Sequence, residues 1–592
     1  MDNNSINTAM TKPATGPNQP APAVNLLMMA VLLLISFFAY SNALSNGFVY
    51  DDVPTIQENY WIQDFKYIPE ILSSNVWAFY GRSGKYYRPM MHIIYTLNYH
   101  VFGPDPWGFH LVNILFHVAS SILVFLIASV IVKEARPSES SSFLLSPFFA
   151  AILFATHPVH TEAVTWVSGT PDVSFTAFYL LSLYLYIRSG ARLRGAYVLS
   201  LLSFFIATLC KEPALTLPLV LMAYDYVFRE EKMPIAVRVM RYVPFLAVAG
   251  IYFAMRIHAL GGFAPQTAHR ELGLYDAVIN VFPLLSGYLG KLLLPINLNV
   301  YHVLHPVTSI LEKKAILSLV VVASCVVITI IASKKNKALF FSLLLVIVPL
   351  LPALYIPWLG KNSFAERYLY LPSCGFVISL SLLIEWTKVK MPERIAGTTA
   401  FFAVLAGLYF AGTLMRNPVW RDEYTLWTDT VQKSPESAVA QSNLGLVLIE
   451  RRQYDKAIEH IQIAEELEPD NPKFHNNLGV AYTETGATDK AIEQYEIALR
   501  LDPNNEKAHY GLGIVYSDRG QLDAALIHLQ TASSLNPRDA GVQYYLGNVF
   551  LKKGLIDIAI EHFKAAATLN PSQKEFLDAL AEAYDQKRSS HH

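Results

Sequence analysis

Residues 472–505, PKFHNNLGVAYTETGATDKAIEQYEIALRLDPNN, decide the fold of the C-terminal part of the chain, because four of their positions recur every 34 residues. The recurring residues are Pro435, Pro469, Pro503, Pro537 and Pro571; Gly445, Gly479, Gly513 and Gly547; Ala457, Ala491, Ala525 and Ala559; and Leu467, Leu501, Leu535 and Leu569. Small residues allow paired helices to approach closely, and proline follows a helix end because it cannot continue the helix. The period therefore predicts a stack of helical hairpins.

A 34-residue period with this pattern is typical of the tetratricopeptide repeat. We predict four repeats and a capping helix within residues 435–592, preceded by a linker helix within residues 417–434. Such arrays form a concave groove that binds peptides or protein surfaces. The side chains predicted to line the groove and bind an acceptor are Asn443, Asn477, Asn548, Tyr510 and Tyr544. A surface or packing role for the same side chains stays open.

Charge and hydropathy divide the chain into two parts. Residues 421–592 hold 43 of the 93 charged residues and a net charge of −9, whereas residues 1–420 hold the other 50 and a net charge of +8. Soluble proteins are about 25% charged, and only the second part reaches that value. The composition excludes a single soluble domain, a disordered chain and a disulfide scaffold. The total charge of −1 is a cancellation from which no partner follows, and we expect no nucleic-acid partner.

The first part contains apolar runs long enough to cross a bilayer. After a polar cytoplasmic tail at 1–23, predicted to be disordered, eleven such runs lie within residues 24–416. They lie at about 25–44, 109–133, 143–160, 171–188, 195–210, 212–228, 241–258, 314–332, 338–357, 369–386 and 396–415. A further run at about 274–294 fits only as a re-entrant or interfacial helix. Short basic connectors then face the cytoplasm, and the repeats lie outside it. The predicted fold is all-α: a polytopic membrane helical domain followed by a soluble α-solenoid.

Twelve ionisable residues fall at the external ends of these predicted spans. They are Asp51, Asp52, His157, His160, Glu162, Asp172, Lys211, Glu212, His302, His305, Glu366 and Arg367. Ionisable groups near membrane depth are costly, so they usually form pairs or serve a function. Their convergence on one face predicts a site there.

The residue types suggest roles, each with a structural alternative. Asp51 or Asp52 could be a general base, or Asp52 could cap the helical turn that follows it. His157, His160 and Glu162 could bind a divalent metal, or the histidines could be hydrogen-bonded structural residues. The bases Lys211, Arg367 and Arg88 could hold a lipid phosphate, or could form isolated ion pairs. Nucleotide-binding motifs are absent from the sequence, so an outward-facing transferase would use a lipid-linked donor.

Six motifs in order, followed by the repeats, resemble the transmembrane and tetratricopeptide repeat-containing family of C-type glycosyltransferases, which are related to protein O-mannosyltransferases. These motifs are Phe48–Asp52, Tyr87–Pro89, Phe109–Asn113, His157–Ala163, Lys211–Glu212 and Glu366–Pro372. The resemblance implies transfer of mannose or another hexose from a polyprenyl-phosphate carrier to a hydroxyl group of a protein. For this transfer we expect one inverting displacement.

By position, the resemblance makes Asp51 or Asp52 the catalytic base, with Asp52 favoured, and assigns Lys211, Arg367 and Arg88 to the donor phosphate. His157, His160 and Glu162 would shape the site or hold a divalent cation, and Asp172, Glu212 and Glu366 would also shape it. The repeats would bind the acceptor protein.

The short array and compact loops favour a bacterial inner membrane with periplasmic repeats; the eukaryotic equivalent is the endoplasmic reticulum membrane with lumenal repeats. Two other function classes stay open. One is a non-catalytic membrane scaffold whose repeats recruit partners for envelope assembly. The other is a transporter of lipid-linked sugar, for which we would expect charged residues in mid-span positions rather than at one face.

Overall fold

The computed structural model describes residues 22–81, 84–135, 145–190, 195–229, 235–262, 273–303, 305–354, 364–571 and 573–589. The predicted tail therefore lies almost entirely outside the described residues. Those described form α-helices joined by short helical turns and loops, and no strand occurs among them. The all-α prediction is confirmed.

Two compact units make up the chain. One contains the residues up to Val76 together with Lys85–Leu298 and Pro306–Pro418. The other contains Trp77–Gly84, Asn299–His305 and the residues from Val419 onward. The second unit thus includes the repeats and two short segments that the sequence assigns to loops between membrane helices.

The described helices of the first unit are numbered here in chain order. They are α1 (Pro22–Phe38), α2 (Ile68–Ser73), α3 (Pro89–Phe102), α4 (Pro106–Ala135), α5 (Leu145–Thr156), α6 (Thr161–Thr165), α7 (Thr170–Ser189), α8 (Gly195–Cys210), α9 (Leu217–Phe228), α10 (Ile235–Met240), α11 (Val243–Leu260), α12 (Leu274–Leu293), α13 (Lys313–Lys335), α14 (Lys337–Leu350), α15 (Pro372–Lys390) and α16 (Ile395–Arg416). A continuous apolar core joins α4, α5, α7, α8, α9, α14 and α15.

Six segments among the described residues are long and apolar enough to cross a membrane. They are Leu26–Ser45, Pro106–Ala135, Val243–Leu260, Lys313–Lys335, Lys337–Leu354 and Pro392–Trp420. Five other predicted spans correspond to α5, α7, α8, α9 and α15, which are shorter or more polar. The ambiguous run forms α12, which buries one face and exposes apolar side chains on another. The chain is a membrane protein, and eleven crossings stay a prediction.

The helices of the second unit form hairpins with the predicted period. They are α17 (Glu423–Lys433), α18 (Ala438–Glu450), α19 (Tyr454–Leu467), α20 (Pro472–Glu484), α21 (Thr488–Leu501), α22 (Glu506–Asp518), α23 (Leu522–Leu535), α24 (Ala540–Lys552), α25 (Ile556–Leu569) and α26 (Lys574–Ser589). From α18 to α25 they pack as four consecutive pairs.

The recurring glycines permit this packing. Tyr495, which is 1% exposed, inserts its ring between α20 and α22. A Cβ atom on Gly479 would lie 2.5 Å from that ring, and one on Gly511 would lie 2.4 Å from it. Only glycine leaves room for the aromatic side chain without displacing a helix.

Ion pairs with a spacing of 30 residues link successive repeats and the last helix. Asp489 pairs with Arg519, Asp523 pairs with Lys553, and Asp557 Oδ1 lies 2.6 Å from Lys587 Nζ. The carboxylates are largely exposed, so each pair adds little stability. Their regular spacing shows that α26 packs on the array as the first helix of another repeat would.

Candidate active site

Asp52 fixes the loop after α1 to the turn that precedes α7. Its Oδ1 accepts hydrogen bonds from the backbone N–H of Ser168 at 2.7 Å and from the Ser168 hydroxyl at 2.6 Å. Its Oδ2 accepts one from the Val49 backbone N–H at 3.1 Å. The side chain is fully buried and does not cap the helical turn Val53–Gln57. The capping alternative is therefore wrong, and the hydrogen bonds assign Asp52 a structural role.

Backbone geometry supports this junction on both sides. Tyr50, beside the two aspartates, has a φ of +54° and stacks on Trp166 with ring centroids 6.0 Å apart. A left-handed tyrosine is strained and persists only where its surroundings hold it. Gly169 follows Ser168, and a Cβ atom there would lie 2.3 Å from the Ala163 carbonyl oxygen. This close approach permits the tight turn that presents Ser168 to Asp52.

Asp51 differs from Asp52 in exposure and in hydrogen bonding, whereas burial raises the pKa of both. Its side chain is partly exposed, and among the described residues its carboxylate accepts no hydrogen bond; only its backbone carbonyl does, from Thr55. Burial raises the pKa of Asp51 to about 6, although the charge of Arg367 opposes this. A carboxylate without hydrogen bonds can accept a proton from a substrate hydroxyl. The geometry therefore reverses the expected order and favours Asp51 over Asp52 as the base.

Arg367 is held beside the aspartates by Glu162. The two side chains form an ion pair, and the Arg367 backbone N–H also donates to Glu162 Oε2 at 2.8 Å. The guanidinium carbon lies 5.5 Å from the centre of the Trp166 ring. Glu366, the adjacent carboxylate, is buried. Arg367 is thus oriented by a carboxylate and an aromatic ring while a fifth of its side chain stays accessible.

Lys211 forms a second, more deeply buried pair. Its Nζ lies 2.5 Å from Asp172 Oδ1, and both side chains are 4% exposed. Burial, together with the charges of Arg88 and Arg367, lowers the pKa of Lys211 to about 8 against the opposing effect of Asp172. The three predicted phosphate-binding bases therefore lie close enough to influence one another electrostatically.

A third group of paired charges includes Arg256, which was not among the residues predicted from the sequence. Glu212 Oε2 accepts from Arg88 Nε at 3.2 Å and Nη2 at 3.0 Å, while Glu212 Oε1 accepts from Arg256 Nη1 at 3.0 Å. One carboxylate shared by two guanidinium groups leaves an excess positive charge. A charged residue inside a predicted span was the available signal for Arg256.

The histidines do not converge on a metal site. His157 Nε2 pairs with the Leu292 carbonyl at 3.1 Å, His160 Nε2 pairs with Ser373 Oγ at 2.8 Å, and Glu162 is held by Arg367. Among the described residues, no three His, Cys, Asp or Glu side chains are arranged to hold a metal ion. The hydrogen bonds favour the structural alternative, and a divalent cation elsewhere in the site stays a prediction.

Two histidines from the predicted convergence lie in the other unit. His302 and His305 belong to the segment that groups with the repeats, where His305 Nε2 is 3.6 Å from Glu436 Oε1. In the same segment, Asn299 donates to Ser434 Oγ at 2.9 Å. These two histidines therefore belong to the unit that contains the repeats, whereas Asp51 belongs to the first unit.

The predicted groove residues lie on first helices of the repeats and several already have partners. Asn477 donates to Ser442 Oγ at 2.9 Å, and the Tyr544 hydroxyl donates to Glu575 Oε1 at 2.9 Å. Tyr510 packs against Gly541, and Asn443 and Asn548 are partly exposed. Acceptor binding by these five side chains stays a prediction.

Comparisons with known proteins agree with this architecture. The family described as Tetratricopeptide repeat matches residues 442–506 and 482–549. Curated relatives include the protein O-mannosyl-transferase F38B6.6 of Caenorhabditis elegans, 25% identical over 73% of this chain and 61% of its own length. The human protein O-mannosyl-transferase TMTC3 is 24% identical over 76% of this chain. The human protein O-mannosyl-transferase TMTC2 is 26% identical over 69% of this chain. The resemblance to the transmembrane and tetratricopeptide repeat-containing family is confirmed.

The extent of these matches differs between the two kinds of comparison. The chain spans 52% of TMTC3 and 58% of TMTC2, so it corresponds to little more than half of either human relative. Among solved structures, YrrB, a TPR protein with an unusual peptide-binding site, is 24% identical, with a TM-score of 0.23 over 27% of this chain and 84% of its own. TTC0263, a thermophilic TPR protein from Thermus thermophilus, is 19% identical, with a TM-score of 0.26 over 31% and 94%.

The two aspartates should respond differently to amide substitution. Asp52→Asn should lower the free energy of unfolding by about 1–3 kcal/mol, because an amide nitrogen would face hydrogen-bond donors in a buried site. Asp51→Asn should change it by less than about 0.5 kcal/mol, since no hydrogen bond is lost. Thermal unfolding of the detergent-purified full chain measures both variants.

Ser168→Ala is the matched control for Asp52. It removes one hydroxyl donor and keeps the backbone donor, so its cost should be about 1 kcal/mol. Equal destabilisation by the two aspartate variants would contradict the structural role assigned to Asp52.

Proposed function

We propose that this chain is a membrane glycosyltransferase that transfers mannose or another hexose from a polyprenyl-phosphate carrier to hydroxyl groups of proteins outside the cytoplasm. The observation that carries the proposal is the placement of Asp51, a carboxylate with no hydrogen bond among the described residues, within the electrostatic reach of Arg367. Displacement of a sugar from a phosphate leaving group requires a carboxylate that can accept the proton of the acceptor hydroxyl. It also requires cations that stabilise the charge on the phosphate. Relatives named protein O-mannosyl-transferases support the same activity.

In the proposed reaction, Asp51 accepts the proton of the acceptor hydroxyl as its oxygen attacks the anomeric carbon of the donor sugar. The bond between that carbon and the phosphate oxygen breaks, and the electron pair leaves with the lipid phosphate. A single attack from the opposite face inverts the anomeric configuration. A pKa of about 6 keeps Asp51 ionised at neutral pH yet basic enough to take the proton.

Carboxylate partners hold the cations in position before the phosphate leaves. Glu162, Asp172 and Glu212 hold four bases, Arg367, Lys211, Arg88 and Arg256, so the three ion-pair groups together carry one excess positive charge. Arg88 uses Nε and Nη2 for Glu212, which leaves Nη1 available. Donors fixed before the charge develops stabilise it without reorganising at the moment of reaction.

One loop supports the placement of the repeats outside the cytoplasm. Residues 299–305, between α12 and α13, group with the repeats in one compact unit. The other end of α13 carries Lys334 and Lys335, with Lys337 just beyond, against Lys313 and Lys314 at the loop end, and we expect the more basic end to face the cytoplasm. The loop and the repeats then lie outside the cytoplasm.

The repeats supply the proposed acceptor-binding module. The two helices of each hairpin leave a row of first-helix side chains, including Asn477, Tyr510 and Tyr544, on the face where tetratricopeptide arrays bind peptides. The net charge of −9 over residues 421–592 favours acceptor segments that carry basic residues.

Transfer in a purified system tests the proposal. The full chain is incubated with polyprenyl-phosphate mannose and peptides rich in serine and threonine, and the glycopeptides are detected by mass spectrometry. Asp51→Asn should lower kcat by about 10²–10⁴-fold, as loss of a general base does. Asp105→Asn, an exposed aspartate between α3 and α4, is the matched control and should transfer normally.

The outcome also separates the other function classes. Transfer by Asp51→Asn at the wild-type rate would contradict the assignment of the base. A second outcome is that the wild type transfers no sugar with several donor sugars and acceptors. Movement of lipid-linked sugar across vesicles would then favour the transporter, and binding of partner proteins alone would favour the scaffold.

The proposed reaction should have a bell-shaped pH dependence. Asp51 acts in its ionised form, so kcat/KM should rise as pH increases through about 6. Lys211 acts in its protonated form, so kcat/KM should fall as pH increases through about 8. Lys211→Arg keeps the positive charge at high pH and should remove only the basic limb of the profile. A profile that is flat across both values, or an unchanged basic limb in this variant, would contradict these roles.

A further inference from the structure

A second buried cluster of charges lies at the opposite ends of the helices that carry the candidate site. Its members are Tyr186 near the end of α7, Asp225 near the end of α9, Arg229 just beyond α9, and Arg241 and Tyr242 just before α11. Asp172 and Tyr186 are separated by about 20 Å along α7, from a rise of 1.5 Å per residue. This cluster therefore takes no part in the chemistry proposed above.

The single carboxylate of the cluster is already occupied. Asp225 Oδ2 accepts hydrogen bonds from the Tyr186 hydroxyl at 2.5 Å and from the Tyr242 hydroxyl at 2.8 Å. Asp225 Oδ1 lies 3.1 Å from Arg229 Nη1. Arg241 is therefore left without a carboxylate partner among the described residues.

Arg241 is nevertheless buried, with 6% of the residue exposed. Its Nη2 donates to the Gly190 carbonyl at 2.8 Å, and its guanidinium carbon lies 5.1 Å from the centre of the Tyr186 ring. Among the described residues, its Nε and Nη1 have no hydrogen-bond partner, whereas Arg229 Nη1 is paired with Asp225. Buried charged donors that lack acceptors are costly, which points to an acceptor that the described part of the chain does not supply.

The position of the cluster indicates the chemistry of that acceptor. It lies where apolar helices end in basic connectors, which is the depth of lipid headgroups and the side on which basic pockets between helices bind them. A planar guanidinium group with free donors matches phosphate oxygens better than it matches an uncharged polar group. The charged members named above, Asp225, Arg229 and Arg241, sum to one excess positive charge among the described residues, which matches a headgroup with one negative charge.

We propose that Arg241, supported by Arg229, binds the phosphate group of an anionic lipid at the ends of α7, α9 and α11 opposite the candidate active site. Tyr186 orients both cations, since the Arg229 guanidinium carbon also lies 5.0 Å from its ring centre. The lipid then serves as the missing counter-ion for Arg241 and ties three helices together. A free phosphate ion offers the same chemistry, so the test separates the two sources.

The test compares the thermal unfolding of the full chain in vesicles of phosphatidylcholine with and without phosphatidylglycerol, and counts the lipids retained in native mass spectra. The wild type should be stabilised by phosphatidylglycerol and should retain it. Arg241→Gln should lose the stabilisation and retain phosphatidylglycerol about tenfold less, as expected from loss of a charged hydrogen bond. Arg241→Lys, which keeps the charge without the planar group, should fall between them.

Arg188→Gln is the matched control, because Arg188 lies at the same end of α7 and is exposed. It should behave as the wild type does. Each variant is compared with itself in two lipid mixtures, so a general loss of stability cancels. Equal lipid dependence in Arg241→Gln and the wild type would overturn the site. Equal protection of the wild type by inorganic phosphate in phosphatidylcholine vesicles would overturn the lipid as its source.

Discussion

Compensation of buried charge is the constraint on which this structure depends. Arg367, Lys211 and Arg88 lie in or beside apolar helices, and each is held by a carboxylate, Glu162, Asp172 or Glu212. The cost of removing two charges from water largely cancels their attraction, so such a pair adds little to the free energy of unfolding. Removal of one partner leaves a buried charge without compensation and is strongly destabilising. The pairs therefore fix positions rather than add stability. Two groups are exceptions among the described residues: the Asp51 carboxylate accepts no hydrogen bond, and Arg241 Nε and Nη1 have no hydrogen-bond partner.

The repeats were predictable in detail because their signal is local and repeated. Pro469 and Gly479 recur with a fixed period, and each position has a mechanical reason that the hairpin packing shows, such as the space beside Gly479 that Tyr495 fills. The membrane helices were predictable as apolar runs, but α5 and α9 are too short to identify as spans by length. The length of an apolar run shows whether a helix could cross a bilayer. The number of helices that do cross depends on how they pack together, which no local sequence pattern encodes.

The candidate site was only partly predictable, for a related reason. Motif order indicated Asp51, Lys211 and Arg367, and all three lie in one electrostatic cluster. The sequence could not distinguish Asp51 from Asp52, because that difference depends on Ser168, more than a hundred residues away. It also suggested a metal for His157 and His160, whose actual partners, the Leu292 carbonyl and Ser373, come from distant segments. The hydrogen-bond partner of a buried side chain depends on which distant segments lie next to it, and residue type alone does not predict that.

Direct observation of the donor would test the central claim, that Asp51 faces a phosphate held by these cations. An experimental structure of the full chain with a polyprenyl-phosphate sugar analogue and an acceptor peptide provides it. The account predicts the phosphate in contact with Arg367, Lys211 or Arg88, and the acceptor hydroxyl within about 3 Å of an Asp51 carboxylate oxygen. A phosphate bound away from all three bases, or an acceptor hydroxyl that contacts Asp52 in place of Asp51, would contradict it.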